Sequence, residues 1–145
     1  MALKLLEPFK LGKVELKNRI VLVPMVRNCG HNGHVTEQLK AHYEEIARGG
    51  TGLLIIEATT VDTRTSMAWE GQLAVDDDKY LPDLKEVVEA IHRRGAKAFL
   101  QLQHAGVHTR RDLISGEALS SSPKSAPDGV QPVVRSTAPA KEMTL

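Results

Sequence analysis

Two kinds of apolar pattern alternate along the chain. Unbroken aliphatic runs occur at Ile20-Val21-Leu22-Val23 and Leu53-Leu54-Ile55-Ile56, and the stretches between and after them follow helical spacing. The first run predicts a strand over residues 19–25, closed by Pro24, which has no N–H to give a sheet ladder. A run without alternation predicts burial on both faces, as in a parallel sheet. A short piece of buried helix fits the same letters, but the density of Val and Ile and the closing proline favour strand. Its carboxyl end, Val23-Pro24-Met25, falls where open α/β sheets and α/β barrels place ligands.

Before this strand, residues 4–17 mix short apolar pairs with Pro8 and Gly12, which predicts two short strands in a hairpin. Residues 26–35 read as loop. Thr36 is a helix N-cap, Leu39, Tyr43, Ile46 and Ala47 recur at helical spacing, and Gly49-Gly50 supplies the stop. A second buried strand follows over residues 52–61. It carries Glu57 near its end, either paired structurally or facing a site. Residues 62–77 read as irregular loop, and Asp78 or Asp83 caps a second helix with Pro82 in its first turn. Leu84, Val87, Val88 and Ile91 form its apolar stripe, and Gly95 ends it. Residues 97–103 alternate as a third strand whose glutamines, Gln101 and Gln103, face something polar. Beyond His104 no periodic element is evident. The Ser- and Pro-rich residues 120–132 are loop, and residues 142–145 look like the start of another helix with Thr144 as its cap.

The order strand–helix–strand–helix–strand is repeated βαβ, so the fold class is α/β with a parallel sheet. A doubly wound sheet and a (β/α)₈ barrel both fit.

Composition narrows the function classes. The 145 residues, 41% hydrophobic and 26% charged, suit one globular domain, and a net charge of +1 gives no electrostatic reason to expect nucleic acid or a membrane surface. One cysteine, Cys29, leaves no internal disulfide and fits a reducing cytoplasm. No apolar stretch approaches the roughly 20 residues of a membrane span. The expectation is a cytoplasmic protein with no nucleic-acid or membrane partner.

Neither GxGxxG nor GxxxxGK[ST] follows the first strand, which weakens a dinucleotide-binding reading. His31 with His34, or His104 with His108, lacks the carboxylate or cysteine that would complete a metal set, so no metal site is expected. Asp76-Asp77-Asp78 reads as a charged helix start, and Cys29 as an ordinary thiol.

Three segments, LEPFKLGKVELKNRIVLVPM, HYEEIARGGTGLLIIEATTV and GAKAFLQLQHAG, resemble in order and spacing the N-terminal part of the Old Yellow Enzyme family of FMN-dependent ene-reductases. The resemblance runs down to the EMT near the end. It implies the N-terminal part, about three β/α units, of a (β/α)₈ TIM barrel: a hairpin over residues 1–18, three strands and two helices over 19–103, and a long active-site loop over 104–145. It further implies FMN at the carboxyl ends of the strands. Val23, Pro24 and Met25 would lie along the flavin, Ala58 would pack beside its ring system, and Gln101 would bond its pyrimidine edge. A primary amide offers one acceptor and two donors in a plane, which suits that edge. His104 reads as structural. The reaction implied takes hydride from NAD(P)H through FMN to the β-carbon of an unsaturated carbonyl, enoate or enoyl-CoA.

The resemblance also marks what this segment does not carry. The donors that polarise the substrate carbonyl in relatives follow the fourth strand, so no catalytic residue is expected here. An iron–sulfur cluster, found in longer relatives, would have to come from segments past Leu145. Val107 stands where many relatives have Arg or Lys, and Val26 and Asn28 stand where they often carry Cys or Tyr. Three strands leave apolar faces and unpaired edges. The chain is therefore expected to act as one part of a larger barrel, completed by a complementary polypeptide or by self-association. A half-barrel assembly module without catalysis, and a flavodoxin-like nucleotide-binding domain, are the alternatives.

Overall fold

A computed structural model describes residues 3–123 and 139–143. A short antiparallel hairpin comes first, β1 (Phe9–Leu11) and β2 (Val14–Leu16), turned at Gly12 with φ 59°. The Arg19 guanidinium lies over the Phe9 ring, 4.9 Å from its centroid, and the Arg19 N–H donates to Leu5 O at 2.9 Å. The hairpin is thus tied to the start of the main sheet.

That sheet is parallel and centres on one strand. β3 (Val21–Leu22) and β4 (Leu53–Thr60) pair in register Val21–Leu53 and Leu22–Leu54. On the other edge of β4 lies β6 (Lys97–Gln103), paired from Leu53–Lys97 through Ile56–Leu100. A two-residue strand, β5 (Leu73–Ala74), pairs with Thr59 and Thr60 at the end of β4.

Two helices cover one face. In α1 (Glu37–Arg48) the Thr36 hydroxyl accepts the Leu39 N–H at 3.3 Å, and Leu39, Tyr43 and Ala47 are buried at four-residue spacing. Glu37 and Arg48 sit at the ends that suit the helix dipole. α2 (Leu81–Arg93) follows a 3₁₀ turn, Asp78–Tyr80, and buries Leu84, Val87, Ala90 and Ile91. These side chains meet Leu54 and Ile56 of β4, with Leu22, Ala98 and Leu100 packed alongside. Outside an irregularity in β4 between Ile56 and Thr59, every second strand residue therefore points at the helices, and the intervening ones point away. Val21 at 42% and Phe99 at 40% exposure are among the latter.

Several expectations change here. The first strand is two residues long instead of the predicted 19–25, and one of its faces is open. Its flat run of apolar letters reported a barrier to helix, while pairing stops at Leu22 because Pro24 cannot extend a ladder. The Asp77 carboxylate, accepting the Lys79 N–H at 3.0 Å, caps the 3₁₀ turn ahead of α2, while α2 itself starts from Tyr80 without a side-chain cap, so neither Asp78 nor Asp83 takes that role. The 62–77 loop contains β5. Past His104 there are two 3₁₀ turns, Gly106–His108 and Arg111–Leu113, and a parallel pair, β7 (Leu119–Ser120) with β8 (Lys141–Glu142). Thr144, its expected helix and most of the 120–132 stretch lie outside the described residues. Among the described residues, no helix is long and apolar enough to cross a membrane.

Ile91 is fully buried between the helices and the sheet. Ile91→Ala should lower unfolding free energy by about 2–5 kcal/mol in urea denaturation. Lys85→Ala, at a side chain 77% exposed, should stay within about 0.5 kcal/mol of wild type.

Candidate functional site

The carboxyl ends of β3, β4 and β6 share one end of the sheet. Beyond Leu22 the chain leaves the ladder as an arch, and Val23, Pro24 and Met25 make no backbone hydrogen bond with another described residue. Val23 is 56% and Met25 53% exposed. Backbone donors and acceptors are thus left open beside an apolar surface.

Across β4, the pairing with β6 shifts between Ile56 and Thr59, so Glu57 and Ala58 together stand opposite Gln101. Such a bulge re-aims side chains. Ile56 packs into the helix-side core and Glu57 reaches Tyr43 of α1, so two consecutive residues address the same layer. Ala58 is buried and Gln101 is exposed, with no described partner for its amide. All five residues anticipated as cofactor contacts therefore fall at one end of the sheet, on three neighbouring segments.

Beneath the arch lies a buried acid. Glu57 is inaccessible to solvent; one carboxylate oxygen accepts the Arg27 N–H at 3.2 Å and the other accepts the Tyr43 hydroxyl at 3.2 Å. The Tyr43 oxygen in turn accepts the Glu57 N–H at 2.9 Å. Burial pushes the Glu57 carboxyl above its ordinary value, and the Arg27 N–H and the Tyr43 hydroxyl pull it only part of the way back. Burial likewise raises the Tyr43 phenol. Of the two roles open to Glu57 from sequence, the structure supplies the paired one.

Loops around the arch are joined through main-chain contacts. Asn28 takes φ 57° and its side-chain oxygen accepts the Gly71 N–H at 2.8 Å, while the Gly30 N–H donates to Gly71 O at 3.0 Å. A Cβ on Gly71 would lie 2.5 Å from the Asn28 carbonyl oxygen. Gln103 meets the buried Gln72 amide at 2.7 Å, which is the polar partner its strand face called for. Ser66 accepts the Ala105 N–H at 2.5 Å, and Thr109 donates to Thr65 O at 3.3 Å, fastening the loop after β4 to the loop after β6. Gly71, Gln72 and Ser66 carry no signal in the sequence, and Asn28 stands out there only as a departure from relatives. Small and polar letters inside a loop look alike whether they face water or another backbone.

His31, His34 and His104 have separate local partners. His34 Nδ1 lies 2.5 Å from Asp83 on α2, and His31 pairs its backbone with that of His34. His104 Nδ1 accepts the Gly106 N–H at 3.2 Å, which fits a structural role. Cys29 is a free thiol donating to Arg27 O at 3.3 Å. No group of three metal-ligating side chains occurs among the described residues.

Residues 4–145 match the model of the NADH:flavin oxidoreductase / NADH oxidase family. The chain belongs to that family. An NADH oxidase of Thermoanaerobacter brockii is 40% identical over 108 residues, which cover 74% of this chain and 17% of that protein. An NADPH dehydrogenase of Listeria welshimeri is 42% identical over 121 residues, covering 82% of this chain and 35% of that protein. Among solved structures, the old yellow enzyme homologue from Zymomonas mobilis superposes with TM-score 0.81 at 26% identity, over 98% of this chain and 40% of that one. The fold is therefore the N-terminal part of an Old Yellow Enzyme-type TIM barrel, and the doubly wound alternative is set aside. The chain spans well under half the length of these family members.

In this family member, two changes test the geometry. Gly71→Ala should push the 71–73 loop off Asn28 and destabilise the protein by about 1–3 kcal/mol in thermal or urea unfolding. Glu57 supplies a pH dependence. Its folded-state value lies above the unfolded value near 4.5, so its contribution to stability is complete below that pH and is lost as pH rises through the raised value. Glu57→Gln should flatten that decline in urea midpoints taken from about pH 4 to about pH 8.

Proposed function

We propose that this chain forms part of an FMN-dependent NAD(P)H oxidoreductase and supplies one wall of its flavin site. The observation that carries the reading is the placement of a backbone arch and an exposed primary amide, both without a partner among the described residues, and a small side chain on three adjacent segments at the strands' carboxyl ends, in a chain of this family. FMN, when bound, supplies the hydride relay between NAD(P)H and an electron-poor C=C bond.

The residues divide the work of holding the cofactor. Val23, Pro24 and Met25 present main-chain groups along one side of the ring system. Ala58, with a single methyl, leaves room for a flat ligand where a larger side chain would intrude. Gln101 offers paired donor and acceptor atoms to the pyrimidine edge and stabilises the charge that gathers there on reduction. Substrate donors and the phosphate site belong to parts of the barrel outside this chain, in keeping with phosphate sites after the seventh and eighth strands. The substrate class is an unsaturated carbonyl, enoate or enoyl-CoA.

The open face of the sheet supports a partner for the same reason. Val21 and Phe99 are exposed on the side away from the helices, and Val23 and Met25 extend that apolar surface beyond the end of β3. The remaining strands of a barrel, on this polypeptide, on another, or on a second copy, would bury it. An assembly module without catalysis is the second reading this face favours. The setting is a cytoplasmic one.

Native mass and visible absorption of the purified protein test both readings. A flavin band at one FMN per chain, with NAD(P)H-dependent reduction of an activated alkene once the barrel is complete, is expected. A colourless assembly that takes up no added FMN would favour the module. Gln101→Leu should weaken FMN binding about tenfold, the equivalent of ~1.4 kcal/mol, in a fluorescence titration.

A further inference from the structure

The arch from Val23 to Val26 is held at its two ends. At one end Leu22 pairs with Leu54 in the sheet. At the other, the Arg27 N–H is bonded to the Glu57 carboxylate, and the Asn28 N–H faces the same group. Between these points no backbone hydrogen bond to another described residue fixes the chain. The height of the arch above β4 is therefore set by where Glu57 stands.

Glu57 stands where it does for two reasons. The bulge opposite Gln101 turns it toward α1, and Tyr43 closes on it from that helix, accepting its N–H and donating to its carboxylate. Neither oxygen of the carboxylate lacks a donor. Removing a buried acid of this kind leaves the N–H groups aimed at it unsatisfied, which is costlier than losing a solvent-exposed bond. The same strand position pair places Ala58 next to Glu57. One bulge thus sets both the small side chain at the site and the support beneath the arch.

We propose that Glu57 is a positioning residue of the flavin site: through the Arg27 N–H its carboxylate fixes the arch whose backbone the flavin lies along, and Tyr43 holds it in place to do so. The inference rests on the flavin reading given above. Glu57 itself touches neither cofactor nor substrate. Asn28 bound to Gly71, and the Cys29 carbonyl bound by the Thr36 hydroxyl at 2.6 Å, anchor the loop further on. They are the rival source of its position.

The test uses the full-length protein with two variants, Glu57→Leu and Tyr43→Phe, and two readouts. Amide exchange at Arg27, followed without flavin, reports the anchor. FMN titration with the visible spectrum of the bound flavin reports the arch. Tyr43→Phe keeps the ring in the core and serves if Glu57→Leu does not fold. In Glu57→Leu, Arg27 exchange should quicken and FMN affinity should fall about tenfold with a displaced flavin band. Tyr43→Phe should move both readouts the same way by a few-fold, and Glu57→Gln, which keeps an acceptor for Arg27, should restore affinity toward wild type. A merely structural role would lower the unfolding midpoint without shifting the spectrum of flavin that remains bound. Unchanged affinity and spectrum in both variants, with wild type binding FMN, would overturn the proposal and leave the flavin reading standing. Wild-type protein that takes no FMN would overturn the flavin reading itself, and the proposal with it.

Discussion

Everything in this structure is arranged about a parallel strand that must be covered. β4 is paired on both edges, and its helix-side residues are sealed by α1 and α2. Parallel strands cannot be joined by tight turns, so each crossover must be long enough to carry a helix, and the helices are what bury the strand. Once Leu54 and Ile56 are packed against Leu39, Tyr43, Val87 and Ile91, the order of the remaining pieces follows. The loops that leave the strands all gather at one end. A site at that end is a by-product of the covering, which is why it can be built from segments far apart in sequence.

The buried acid shows how such a site is paid for in structure. An isolated carboxylate inside a protein is strongly unfavourable, and the remedy is a full set of donors. Glu57 obtains one from a helix side chain and one from a loop backbone. The helix, strand and loop are thereby locked to each other at one point, and none of the three can shift without exposing an unmet charge or an unmet N–H.

Much of this was legible from residues alone, and the exceptions have physical causes. Both helices and their buried stripes followed from spacing, because an amphipathic helix repeats its signal over several turns. β4 and β6 were readable for the same reason: several consecutive residues agreed. β3 was over-read, since apolar letters state a preference for burial but not how far a ladder runs. Glu57 could be flagged as unusual, yet its partner Tyr43 had already been assigned to a core stripe, and nothing in a linear pattern shows that a phenol in that stripe also meets an acid. The bulge was invisible, because register belongs to two strands at once. The family resemblance located Val23, Met25, Ala58 and Gln101 at one end of the fold, whereas the Asn28–Gly71 junction required coordinates.

The arch at Val23–Met25 offers its main chain and leaves its side chains facing outward. A surface that grips through peptide groups is largely indifferent to the amino-acid letters above it, provided the proline stop and the two anchors persist. If the arch holds the flavin as proposed, holding and tuning are separable: side chains along the arch and at Val26 can change to suit different chemistry while the main-chain platform beneath them stays the same.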